Sequence, residues 1–245
     1  MEFYFTKQVT KKSPTIVEGF PGIGLVGTIA TEFLIEHLHA HPIGMVKGHE
    51  IPPMVALHGG KIVRPMGLFY AEKHNIVILH VISGVPGSEW EIADNLLDYS
   101  KKIKAKELIS LESVGVAVAP ETNRFSDFDD VNAFYFTNNL EAEKRFKSIG
   151  IARLNEGIVM GVTGALMLND DTKVSAIFAE THSKLPDSKA AAKIIKVLNE
   201  YLNLKLDITP LLKSAEEFEQ KLRELMSRSQ EAQQLQEDKR VSYIG

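Results

Sequence analysis

Gly22-x-Gly24-x-x-Gly27, inside the run Gly19-Phe20-Pro21-Gly22-Ile23-Gly24-Leu25-Val26-Gly27, stands between β-forming residues and a helical stretch. Formally it is a dinucleotide fingerprint, in which helix amides hold a pyrophosphate. Glu50, near the end of the next extended segment, would then meet a ribose hydroxyl. The competing reading is steric: small residues let the turn pack closely, while Ile23, Leu25 and Val26 supply apolar surface for a core or subunit contact. The steric reading is favoured, because the chain that follows is rich in hairpin signals where a second strand–helix unit should continue.

Thr181-His182-Ser183 with Asp187-Ser188 brings hydroxyl, imidazole and carboxylate within a few positions, and Ser83-Gly84-Val85-Pro86-Gly87-Ser88 adds a second serine-rich strand end. A hydrolase or phosphorylase site could be assembled from such parts at the carboxyl ends of strands. Triad members usually come from distant segments, and Asp187 or Ser188 is explained more simply as a helix cap. His37, His39 and His41 suggest a metal, but alternate residues on a helix point about 200° apart and cannot converge. At a helix end they complement the macrodipole instead. His49, His58, His74, His80 and His182 have no ligand spacing. With no cysteine, thiolate ligands, disulfides and cysteine nucleophiles are excluded. No catalytic residue, metal site or cofactor is assigned. Trp90, the only tryptophan, reads as a core or boundary residue before an interface anchor.

The elements that would position these groups alternate between β-rich and helical runs, the pattern of a sheet covered by helices. Strands are expected at Thr15 to Phe20, Ile43 to Lys47, Asn75 to Ile82, Leu108 to Gly115, Gly157 to Val162 and Ser175 to Glu180. Helices are expected at Leu25 to His39, from Gly164 to Leu168, and at Ser188 to Leu202. Ser88-Glu89-Trp90-Glu91 has capping-box spacing and opens a further helix to about Lys104. Met54 to Leu57, Lys61 to Arg64 and Leu68 to Ala71 read as hairpin-like antiparallel additions to the sheet. Residues 120–139 form an excursion with one short strand near Phe134-Tyr135-Phe136. Beyond Pro210, Leu211, Ala215, Phe218, Leu222, Leu225, Ser229 and Ala232 recur at four- and three-residue spacing, the stripe of a long amphipathic helix that fades past Met226.

The chain has 245 residues, 44% of them hydrophobic, enough for one substantial core. A formal charge of -4 gives no general attraction to nucleic acid or anionic lipid. No run of roughly 20 apolar residues is present, and the start lacks the halves of a signal peptide, so a cytoplasmic location is expected.

Glu18 to Gly27, Glu50-Ile51-Pro52-Pro53, Ser83-Gly84-Val85-Pro86 and Gly161-Val162-Thr163-Gly164-Ala165-Leu166 together resemble the archaeal proteasome assembly chaperone family, over about residues 12 to 225. The resemblance implies a three-layer αβα core with a mixed sheet, like that of nucleoside phosphorylases, and no established catalytic centre. It also implies homo-oligomers, tetrameric or pentameric and possibly shared with a paralogous chain, that bind proteasome α subunits or the α ring. Members carry a helical C-terminal extension, some ending in a hydrophobic-Tyr-any tripeptide. Here the end is Lys239-Arg240-Val241-Ser242-Tyr243-Ile244-Gly245, with the tyrosine in another register. The expected organisation is a core over 1–206, an amphipathic helical extension over 207–238 and a docking tail over 239–245. Phe218, Leu222 and Leu225 would form an oligomer or partner seam; Val241, Tyr243, Ile244 and the Gly245 carboxylate would dock. The rival is a phosphorylase- or hydrolase-class enzyme holding phosphate or nucleotide in the glycine-rich turn.

Overall fold

The computed structural model describes residues 1–58, 60–115, 128–181 and 185–217. Phe218, Leu222, Leu225, Val241, Tyr243, Ile244, Gly245, His182 and Ser183 therefore lie outside the described residues.

The strands are β1 Glu2–Phe5, β2 Thr15–Gly19, β3 His41–Lys47, β4 Ala56–His58, β5 Lys61–Val63, β6 Met66–Ala71, β7 Ile76–Val81, β8 Glu107–Gly115, β9 Ala133–Thr137, β10 Ala152–Arg153 and β11 Val174–Thr181. The helices are α1 Val26–His37, α2 Glu89–Lys102, α3 Leu140–Ser148, α4 Gly161–Met167 and α5 Ser188–Leu202, with residues 209–217 also helical. Nine strands form one mixed sheet in the order β1-β3-β6-β7-β2-β8-β11-β9-β10. The central β7, β2, β8 and β11 run parallel. β7 and β2 are buried along their whole length, which matches their near-continuous apolar sequences.

Two cores lie on the two sheet faces, giving three layers. Val17, Ile78, Ile109, Leu111 and Ile177 pack with α1, α3 and α5. Ile16, Val77, Leu79, Leu108 and Val174 pack with α2 and α4. Alternate residues of one strand thus serve opposite cores, as the two-residue period requires. Leu211 of the last helical segment is buried in the first core, and Ala215 one turn on is also buried.

Four sequence expectations are corrected. β4 and β5 pair only with each other, as a separate two-stranded sheet. Gly157 to Val162 is no strand: residues 157–160 are irregular, with no ladder partner among the described residues, and α4 begins at Gly161. Ser88 makes no side-chain cap; the Glu89 carboxylate instead accepts from the Gly87 amide at 2.9 Å. Trp90 is 61% exposed and outside both cores.

The chain leaves β2 toward one side of the sheet and, through α2, crosses from β7 to β8 on the other side of β2. A crevice opens at such a reversal, outside the carboxyl ends of the parallel strands.

Candidate functional site

The glycine-rich turn enters this crevice. A Cβ on Gly19 would stand 2.2 Å from the Gly27 carbonyl oxygen, and one on Gly27 would stand 2.4 Å from that of Leu111. The first turn of α1 therefore lies directly against β2 and β8, an approach that only glycine permits. Gly24 at φ 68° and Leu25 at φ 51° carry the chain through a left-handed bend into the helix. The amide of Asp187 donates to the Gly24 carbonyl at 2.8 Å, tying the bend to the start of α5.

Around Gly22 the clearance is taken by protein. A Cβ there would lie 2.5 Å from Oε1 of Glu112. A dinucleotide phosphate would have to sit against that carboxylate, so the geometry favours the steric reading of the fingerprint. Glu50 folds back toward Gly48, and is not among the residues that line the crevice.

The crevice is a cavity of about 980 Å³. Its floor is the sheet face bearing Phe20, Glu112, Phe134 and Phe178; Val85 and Ile92 form one wall, and residues 153–162 the other. Glu112 accepts from the Ser113 amide at 2.9 Å and, at 3.4 Å, from the Thr163 hydroxyl. Burial raises its pKa above the usual carboxylate range, with those bonds offsetting part of the rise.

Behind it on the same face stands Glu18, fully buried. Among the described residues neither of its carboxylate oxygens completes a well-formed hydrogen bond, nor does the hydroxyl of Ser110, its register partner on β8, although that hydroxyl is close enough to favour the charged form. Burial pushes the Glu18 pKa up to about 8; the Ser110 hydroxyl lowers it in part and the neighbouring Glu112 charge raises it further.

Glu107, at the far end of β8, shows how a buried carboxylate is satisfied in this fold. It accepts from the Tyr201 hydroxyl at 2.8 Å and from the Ser175 hydroxyl. Glu18 and Glu112 were not singled out from the sequence, although a glutamate inside an apolar β run, as in Thr15-Ile16-Val17-Glu18-Gly19, is a readable signal of a buried acid.

The other sequence candidates are placed apart from this cavity or at its edge. Thr181 donates to Asp187 at 2.8 Å, and Asp187 caps α5 by accepting from the Ala190 amide at 2.9 Å. That is the capping role, and His182 and Ser183 are outside the described residues. The Ser83 hydroxyl turns to its own loop, at the Gly84 carbonyl. His37 bonds the Phe33 carbonyl and stacks on the Phe33 ring at 3.8 Å. His41 sits edge-on to Tyr70. Among the described residues no three His, Asp or Glu side chains are grouped to hold a metal ion, and no helix is long and apolar enough to cross a membrane.

A model of the PAC2 family matches residues 16–226, most of the chain. The chain belongs to the PAC2 family. Pyrococcus furiosus PbaA, an archaeal homologue of proteasome-assembly chaperone, shares 31% sequence identity and superposes with a TM-score of 0.80, covering 94% of this chain and 95% of PbaA. Pyrococcus furiosus PbaB, an archaeal proteasome activator, has the same fold at 22% identity and a TM-score of 0.76, over 92% of this chain and 98% of PbaB. An uncharacterised protein of Methanocaldococcus jannaschii is 28% identical over 228 residues, 92% of this chain and 90% of its own length. The PAC2 match begins inside β2 and takes in the glycine turn, both buried acids and the whole of the sheet that follows.

Proposed function

We propose that this PAC2 protein is a proteasome assembly chaperone or proteasome-associated adaptor, acting as a homo-oligomer that offers several C-terminal tails to α subunits or to the α ring. The observation that carries this is the likeness to PbaA at 31% identity along nearly the whole of both chains. The proposed roles are docking by Val241, Tyr243, Ile244 and the Gly245 carboxylate, and an oligomer or partner seam at Phe218, Leu222 and Leu225. A short peptide with an aromatic body and a terminal carboxylate suits a slot beside a lysine. Oligomeric presentation multiplies its avidity by about 10²–10⁴ without new contacts. The proposed place of action is the cytoplasm.

The test is size exclusion coupled to light scattering, with the full chain and a chain ending at Asp238, each alone and mixed with recombinant proteasome α subunits. The expected result is that both chains have the same oligomeric mass and that only the full chain co-elutes with α subunits. Equal co-elution of the two would remove the docking role from the tail; no co-elution of either would remove the chaperone reading.

A further inference from the structure

We propose that the cavity at the carboxyl ends of β2, β8 and β11 binds a small organic cation, a protonated amine on an aromatic or branched apolar body, held by the Glu112 carboxylate. This inference does not rest on the chaperone reading. A cavity of about 980 Å³ is at the upper end of the range for small-molecule sites. Phe134, with the edge of Phe20, supplies apolar surface for a ring, over the fully buried Phe178.

The charges select the sign of the ligand. Among the described residues four carboxylates, Glu89, Glu112, Glu156 and Glu180, line the cavity against the guanidinium of Arg153. Arg153 is drawn outward, its guanidinium 5.5 Å over the Phe136 ring and 3.6 Å from Glu143. Glu89 is committed to the Gly87 amide, and Glu180 accepts from Asn132 at 2.8 Å. Glu112 is the carboxylate on the floor, where it already accepts from the Ser113 amide and, at 3.4 Å, from the Thr163 hydroxyl; Glu156 stands on the wall.

A second observation is Glu18, which lies behind Glu112 and does not itself line the cavity. A wholly buried carboxyl with no well-formed hydrogen bond among the described residues, beside the Ser110 hydroxyl and next to a second carboxylate, costs stability and asks for a reason. A cation at Glu112 provides one, since it offsets the like charge and favours ionisation of both acids. An anion is disfavoured at the same place, because Glu112 fills the clearance at Gly22 and Glu89 occupies the amide at the start of α2. The lack of three grouped ligands among the described residues argues for a polyatomic cation over a metal ion.

Isothermal titration of the full chain with phenethylamine, 2-phenylethanol and 3-phenylpropionate tests this. The amine should saturate below about 10 mM, while the neutral and anionic analogues should not. Titration in phosphate and in Tris should reveal net proton release on amine binding near pH 7, from Glu18; Glu89, Glu112, Glu156, Glu180 and Arg153 are the charged described groups facing the site. Glu112→Gln should weaken the amine at least about tenfold. Ile158→Arg, on a residue that is 90% exposed, should do the same without touching the core. No saturable binding, equal binding of amine and alcohol, or an amine affinity unchanged in both variants would overturn the proposal. Binding of a basic peptide such as Lys-Phe-Lys with no binding of phenethylamine would also overturn it, and would reassign the cavity to a protein partner.

Discussion

Burial holds the Glu18 pKa at about 8 against an ordinary 4.5, so between those values the folded protein keeps a proton that the unfolded chain gives up. Stability from this group is greatest below pH 4.5 and falls as pH rises toward 8. The full shift corresponds to about 5 kcal/mol. His80 acts in the opposite sense. It is buried, with Nδ1 at 2.9 Å from the Thr31 hydroxyl, and burial lowers its pKa from 6.5 to about 4. Folding therefore expels a proton from it, and stability falls as pH drops from 6.5 toward 4. Glu18→Gln should separate the two. In urea denaturation, the variant and the parent should differ by about 1 kcal/mol or less at pH 4.5, while at pH 8.5 the variant should be more stable by several kcal/mol. The variant should keep the rise in stability from pH 4 to 6.5 that His80 imposes. Some fall with rising pH should remain, from Glu107 and Glu112, both also raised by burial.

The seating of α1 and α5 on the sheet depends on two local devices that substitutions can distinguish from ordinary turn residues. Gly27→Ala would drive a methyl into the Leu111 carbonyl at 2.4 Å and should destabilise by about 3 kcal/mol or more, or prevent folding. Gly84→Ala meets only the Pro21 ring at 3.8 Å and should change thermal stability by about 0.5 kcal/mol or less. Asp187→Ala removes the α5 cap and should cost about 1–2 kcal/mol, whereas Ser88→Ala, at a helix start with no side-chain cap, should cost much less. α5 was legible from end to end, because its cap, its apolar stripe and its length agree. α3 was passed over, although Asn139 accepts from the Glu141 amide and Ala142 and Phe146 fall one turn apart on its buried face; the charges between them conceal the stripe. Gly157 to Met160 misled in the other direction. Ile158 and Val159 have strand propensity, but propensity does not make a strand without a neighbour to pair with. The cavity itself was legible only in part, as Phe20, Pro21 and Gly22 on one side and Gly161 on the other. Their convergence with Glu112 and Phe178 depends on strand order, which local sequence does not encode.

At the scale of the whole molecule, core and tail make different demands on the last forty residues. Leu211 is buried in the first core and Ala215 is buried one turn on, so a chain ending at Leu206 loses this packing. It should be destabilised by about 2–4 kcal/mol, the scale of one buried leucine with its neighbours, whereas a chain ending at Asp238 should melt with the full protein. That contrast determines whether a failure to bind α subunits comes from a lost tail or a weakened fold. It also permits a quantitative test of the proposed multivalency. A free peptide of residues 239–245 has the docking residues but neither the core nor its oligomer. If one assembly engages several α subunits at once, the peptide should compete with the full protein at least about 100-fold more weakly per tail. Equal competition would mean that each tail acts alone, and the oligomer would then need another purpose. The salt dependence of the competition adds a second readout, because Lys239 and Arg240 precede the docking residues. Steering by those charges should fade above roughly 0.15 M salt, while the avidity that comes from linked tails should persist.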